Sequence, residues 1–287
     1  MRVLEPSPPA VNEEPWFADD PTERGEVPAG RRLVSPVTTG DVLWDELAGE
    51  DPDLASWCAD RWLGARRRLE PSPPTLGVTR ESLHVLAAHV ISPARRRANG
   101  KIGLRWTLGG FGTPFFGADA QIRVEGAKLL VDAGGGERSA PIGTLAEAAG
   151  AIGFELSQAD ATLLRTPLEV DSVASRFLGD WFGFVTSVLE QLRAEVPPAW
   201  EPSRVQIWPE HFDAAVEIGS ESAERRAVVG GSPGDDRHAD PYLYVAPWVP
   251  GPRGGLTEMS YDDLLDADDQ RDAALEFFRL RLRALNG

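Results

Sequence analysis

Ala120-Gln121-Ile122-Arg123-Val124-Glu125-Gly126-Ala127-Lys128-Leu129-Leu130-Val131-Asp132-Ala133 is the stretch that decides the architecture. Two strand-forming runs, Ala120–Glu125 and Lys128–Ala133, are separated only by Gly126-Ala127, which reads as a β-hairpin. A hairpin pairs sequential strands antiparallel, whereas parallel strands need a long crossover. Upstream, after the turn dipeptide Asn99-Gly100, Ile102, Leu104, Trp106 and Leu108 alternate with Lys101, Gly103, Arg105 and Thr107, the period of a half-buried strand. Downstream, a glycine turn at Gly134–Gly136 leads to a strand over Glu137–Ile142, and Thr144 then caps a short alanine-rich helix to about Ile152.

A helix precedes this run of strands. Thr79 is its expected N-cap, Leu83, Leu86, Ala87 and Val90 form its apolar face, and Pro93 should end or kink it near Ser92. The same order returns later in the chain. Asp171–Glu195 carries Val173, Phe177, Trp181, Val185, Val188, Leu189 and Leu192 on a broad stripe, and Pro197-Pro198 ends it. Period two resumes with Val205 and Ile207, then with Phe212, Ala214, Val216 and Ile218 opposite Asp213 and Glu217. Val228-Val229 and Pro241–Ala246 read as further strands, Ser260-x-x-Asp263 as a helix start, and Asp268–Leu285 as a closing helix.

The expected fold is therefore α+β. Two similar helix–strands–helix halves, over 79–152 and 171–285, share an antiparallel sheet with the long helices on one face. Ahead of them, residues 1–39 carry seven prolines among acidic residues and read as an extended arm, with Trp16 and Phe17 able to pin it to the body. Apolar spacing over Asp41–Leu47 and Asp53–Leu69 predicts an N-terminal helical layer over 40–70, so that 40–287 forms one domain.

Composition narrows the partners. The formal charge of −16, from 45 acidic against 29 basic residues, repels phosphate backbones and anionic lipid, so neither nucleic acid nor membrane is an expected partner. No run approaches the ~20 apolar residues of a membrane helix, and the start of the chain lacks a signal-peptide pattern. The single cysteine, Cys58, rules out an intramolecular disulfide, and a cytoplasmic location is the expectation. Arg66–Arg68 and Arg95–Arg97 read as solvated helix ends, not anion sites.

The segment Val205-Gln206-Ile207-Trp208-Pro209-Glu210-His211-Phe212-Asp213-Ala214-Ala215-Val216, following a long aromatic helix, resembles bacterial proteins of an uncharacterised domain family. The resemblance covers roughly residues 79–248. That family has no assigned activity, so the resemblance implies no catalytic residues. Where it tends to show paired histidines and tryptophans before the first strand, this chain has Arg95–Arg97 and Gly100.

Chemistry concentrates in Trp208–Trp248. On a strand, His211 and Asp213 would share one face, which makes them candidate catalytic or metal-binding residues. The loop Gly230–Asp240 adds His238, Asp235 and Asp236 as candidate metal ligands. That loop lacks the spacing of a phosphate-binding loop, and no Gly-x-Ser-x-Gly elbow surrounds Ser232 or Ser260. His84 and His89, five apart on a helix, do not share a face and read as boundary and surface residues. Trp208, Tyr242, Tyr244, Phe111 and Trp106 are candidate binding residues, with Gly109–Gly117 a glycine-flanked aromatic loop beside them.

Three functions follow as expectations. The first is a non-catalytic small-molecule-binding or interaction protein. The second is a metal-dependent hydrolase or oxygenase using His211, Asp213 and His238. The third is an assembly component, a homo-oligomer included, whose arm reaches a neighbouring chain.

Overall fold

The computed structural model describes residues 16–17, 33–35, 42–43, 68–107, 109–114, 120–133, 136–156, 161–249 and 255–286. The expected helical layer over 40–70 lies almost wholly outside them. Where the two overlap, the structure corrects the sequence reading: Val42–Leu43 is not helical but a strand (β3). It pairs in parallel with Leu33–Ser35 (β2), which pairs in parallel with Trp16–Phe17 (β1).

The body is α+β, with two antiparallel sheets of five strands. The first is the meander β4 (Arg105–Thr107), β5 (Gly110–Gly112), β6 (Gln121–Glu125), β7 (Lys128–Ala133) and β8 (Gly136–Pro141). Gly126, at φ 56°, supplies the left-handed residue that the β6–β7 turn needs. The second is the meander β9 (Gln206–Trp208), β10 (Asp213–Ile218), β11 (Ala227–Ser232), β12 (Tyr242–Pro247) and β13 (Thr257–Ser260). The first strands of the two meanders meet. Leu104, just before β4, and Ile207 of β9 exchange backbone hydrogen bonds of 2.7 Å in each direction. The single shared sheet expected from the sequence is thus corrected: each half has its own five-stranded sheet, and one isolated antiparallel bridge joins the two.

The first half opens with α1 (Leu76–Leu86), which starts earlier than expected. Thr79 is not its cap but a buried residue within it, its hydroxyl accepting from the Asp171 backbone N–H at 3.0 Å. Of the end or kink expected at Pro93, the end does not occur. A π turn over Ala87–Ile91 follows, in which Ser92 N–H donates to the Ala87 carbonyl five residues back, and α2 (Ser92–Asn99) continues to Gly100 at φ 80°. Proline has no N–H for the carbonyl four residues before it and its ring clashes there. The wider turn resets the register just ahead of Pro93, so the helix continues past the proline.

Capping boxes fix two short helices where the sequence placed them. Thr144 with Glu147 starts α3 (Leu145–Ile152), and Ser260 with Asp263 starts α6 (Tyr261–Leu265). Between them come α4 (Ala161–Arg165) and the long α5 (Ser172–Glu195), whose first N–H groups, of Val173 and Ala174, donate to Asp171. The closing helix is α7 (Gln270–Asn286).

Helix α5 crosses both sheets, packing on β4, β5 and β6 of one and β10 and β11 of the other. Its stripe is almost as expected: Trp181, Phe182, Val185, Val188 and Leu189 are fully buried, while Val173 is exposed. At the crossing with β5 the backbones touch. A Cβ on Gly179 would lie 2.7 Å from Gly110 N and 2.8 Å from Gly109 C. This close approach explains the glycine-rich stretch read as an aromatic loop. Among its described residues, Gly110–Gly112 is a strand and Phe111 is core, 1% exposed.

Candidate functional site

Three connections converge at one end of the sheet: α1, the β9–β10 turn and the β11–β12 loop. Between them lies an open cleft of about 420 Å³, lined by Arg80, Glu81 and His84 of the helix, His211 and Phe212 of the turn, and Gly234–Arg237 of the loop. Each wall is fixed by a specific local device.

On α1, Arg80 and His84 are four apart and so share a face. Arg80 is buried, and its guanidinium donates to the carbonyls of Ala239 at 3.2 Å and Asp235 at 3.4 Å, tying the helix to the β11–β12 loop. His84 Nε2 lies 3.2 Å from the Glu210 carbonyl oxygen. A carbonyl only accepts, so this nitrogen carries the proton and Nδ1 is left with a lone pair. Burial lowers the His84 pKa despite the opposing backbone hydrogen bonds, which favours the neutral ring.

The β9–β10 turn is strained. Phe212 takes φ 55°, a left-handed conformation uncommon outside glycine and asparagine. Its ring is stacked on His84 with centroids 5.4 Å apart and is clamped edge-on by Phe111 and Phe182 at 5.0 and 5.2 Å. The left-handed residue also defeats the strand reading of His211 and Asp213. His211 sits in the turn and lines the cleft, whereas Asp213 begins β10 and is buried. Side chains two apart share a face only on a regular strand, and the chain reverses between these two.

The partner of Asp213 is Tyr244 of β12, whose hydroxyl donates to Oδ2 across the intervening strand. Gly230 makes this reach possible: a Cβ there would meet the Tyr244 hydroxyl at 2.8 Å. Its neighbour Gly231 faces Val185 and Trp181 of α5, so Tyr244 and Asp213 lie on the sheet face away from the helix. Asp213 Oδ1 is buried without a hydrogen-bond partner. Burial raises the Asp213 pKa, outweighing the Tyr244 hydrogen bond, and burial with the nearby Asp213 charge raises that of Tyr244.

This gives a signed prediction. An acid whose folded pKa lies above its unfolded value contributes stability below the unfolded pKa, and that contribution is lost as pH rises through the folded value. Urea titrations from pH 4 to 8 should show Asp213→Asn gaining on the wild type as pH rises. A pH-independent difference would contradict the buried-acid description.

The β11–β12 loop is organised by Asp235. Its Oδ1 accepts from the backbone N–H of Arg237 at 2.7 Å and of His238 at 2.9 Å and lies 3.1 Å from His238 Nδ1, while Oδ2 accepts from Tyr242 at 2.8 Å. Burial opposes ionisation of Asp235, but these donors prevail and hold its pKa at about 2; burial and Asp235 together push Tyr242 up to about 12. His238 stands between two carboxylates, its Nε2 3.5 Å from Glu258 Oε2. Because the Asp235 pKa is depressed, its contribution is present above the unfolded value near 3.9 and lost as pH falls through about 2. Asp235→Asn is expected to speed exchange of the Arg237 and His238 amides at neutral pH. The difference should close toward pH 2, as followed by NMR hydrogen exchange.

The proposed metal set is not assembled. Among the described residues, no three His, Cys, Asp or Glu side chains group as cation ligands. His211 and Asp236 line the cleft, Asp213 is bound to Tyr244, and Asp235 and His238 hold the loop together. Of the candidate binding residues, Trp208, Tyr242 and Tyr244 are half-buried, with the two tyrosines on the face away from α5. Trp106 and Phe111 are buried core residues, because β4 and β5 lie directly under α5. Sequence reasoning passed over Arg80 and Glu81 and set His84 aside as a boundary residue. Their one legible signal was the i, i+4 spacing of Arg80 and His84 on a helix otherwise read for its apolar face.

Among the described residues no helix is long and apolar enough to cross a membrane. No protein-family model, curated protein or solved structure matches the chain significantly, so its chemistry has to be read from its own geometry.

Proposed function

We propose that the protein is a binding protein that takes a small polar ligand in the cleft between α1, the β9–β10 turn and the β11–β12 loop. The observation that carries this reading is the cleft of about 420 Å³ at whose walls a buried arginine, a histidine stacked on Phe212 and a strained backbone are all held in place. Preorganisation of this kind lowers the ordering cost of binding. The lining carries charges of both signs, Arg80 and Glu81 on the helix wall and Asp236 and Arg237 on the loop wall, which favours a ligand carrying groups of both signs over a simple anion. His84 Nδ1 and the His211 ring add polar groups that contact such a ligand without a metal.

The test is a thermal-shift screen of polar metabolites, including amino acids, polyamines, dicarboxylates and nucleotides, against the wild type, His211→Ala and Arg237→Ala. Both variants change side chains at the rim of the cleft, so the fold should survive. The reading predicts a ligand that raises the Tm of the wild type and loses that effect in the variants. Shifts that persist unchanged in both variants, or no shift across the panel, would sink it.

A further inference from the structure

A second concavity lies at the far edge of the second sheet. Strand β13 is the last in its order, and among the described residues no strand pairs with its outer edge. Its outward backbone N–H and C=O groups are therefore a template for a further strand. Helix α7 shares a groove with this edge. Its buried stripe, Ala274, Leu275, Phe278 and Leu282, packs on the core, but Phe277 is half-buried and Leu280 is 59% exposed. These two, with Met259 of β13, border an open groove of about 530 Å³. The apolar flank of the helix thus lines one side of the groove and β13 the other.

Charge decides what kind of strand fits. The acidic side chains around the groove already have partners. Glu258 faces His238 at 3.5 Å, Asp263 accepts from the Ser260 hydroxyl at 2.7 Å, and Glu276 pairs with Arg279 at 2.7 Å. The arginines do not. Arg281 lies over the Phe277 ring at 5.8 Å with its Nε buried and lacking a hydrogen-bond partner, and Arg283 makes no ion pair among the described residues. Uncompensated positive charge beside an open edge and an apolar wall calls for a carboxylate on an extended chain.

We propose that the groove between β13 and α7 binds an extended peptide that adds a strand to β13. Alternate apolar side chains of the peptide sit against Phe277 and Leu280, and an acidic side chain pairs with Arg281 and Arg283. This site is separate from the cleft and does not depend on it.

The test is selection of a random linear-peptide library displayed on phage against the full chain, followed by binding of the enriched synthetic peptides. The expected peptides alternate apolar residues and carry Asp or Glu. Their affinity should fall about tenfold or more in Leu280→Asp and in Arg281→Glu. His211→Ala should leave it unchanged, and the peptide should slow hydrogen exchange at the β13 amides. Leu280 is exposed, so its variant should fold, which circular dichroism checks. Failure to enrich such peptides, equal binding to the groove variants, or unprotected β13 amides would overturn the proposal. So would light scattering that shows a dimer dissociated by Leu280→Asp, because the edge would then be closed by a second copy.

Discussion

Phe212→Ala is expected to destabilise the protein by about 3–5 kcal/mol, the range for removing a fully buried aromatic ring. Phe212 is 1% exposed and clamped by Phe111, Phe182 and His84, so little can collapse into the space it leaves. Alanine would also inherit the φ of 55°. Phe212→Gly removes the same ring but adopts that backbone freely, so it should recover about 1 kcal/mol relative to alanine. Urea denaturation of the two variants separates packing from strain, and a glycine variant no more stable than the alanine variant would show that the turn is unstrained. Because His84 stacks on this ring, both variants should also weaken any ligand that the cleft takes, while leaving the β13 groove unaffected.

The second large effect turns on sign. An exposed helical glycine replaced by alanine ordinarily gains about 1 kcal/mol of helix propensity. Gly150 in α3 is exposed, and a Cβ there meets nothing within 4 Å, so Gly150→Ala should be stabilising. Gly179→Ala should go the other way by about 2 kcal/mol, because its Cβ would be driven into the backbone of Gly109 and Gly110, which cannot rotate aside as a side chain does. Larger residues should cost more. Thermal denaturation of the pair decides it. A stabilising Gly179→Ala would mean that α5 and β5 are further apart than described here.

Most of the secondary structure was legible because its signals are local. The Gly126-Ala127 hairpin, the Thr144 and Ser260 capping boxes and the stripe on Ser172–Glu195 depend on neighbours within a few residues, and each lies where the sequence placed it. The misreadings share a different cause. Thr79 suits a cap by its hydroxyl, but that hydroxyl accepts from Asp171, far away in the chain. Pro93 is expected from sequence to end or kink the helix, and the π turn before it decides against an end. The strand β13 and the short helix α4 carry too few residues for a periodic pattern to show.

The site was harder to read for the same reason. The Trp208–Trp248 segment does supply two of its walls, but the third comes from α1, more than a hundred residues earlier. His211 and Asp213 were paired by strand period, which a single left-handed residue between them cancels. The sequence by itself determined the α+β class, the antiparallel order and the two-part plan, because hydrophobic period and turn chemistry act over short distances. Only the tertiary structure decided that Phe111 and Trp106 are core, that Asp213 belongs to Tyr244, and that Arg80 and His84 face a cleft. Those outcomes depend on which surfaces meet when the chain closes on itself, and no spacing along the chain encodes that distance.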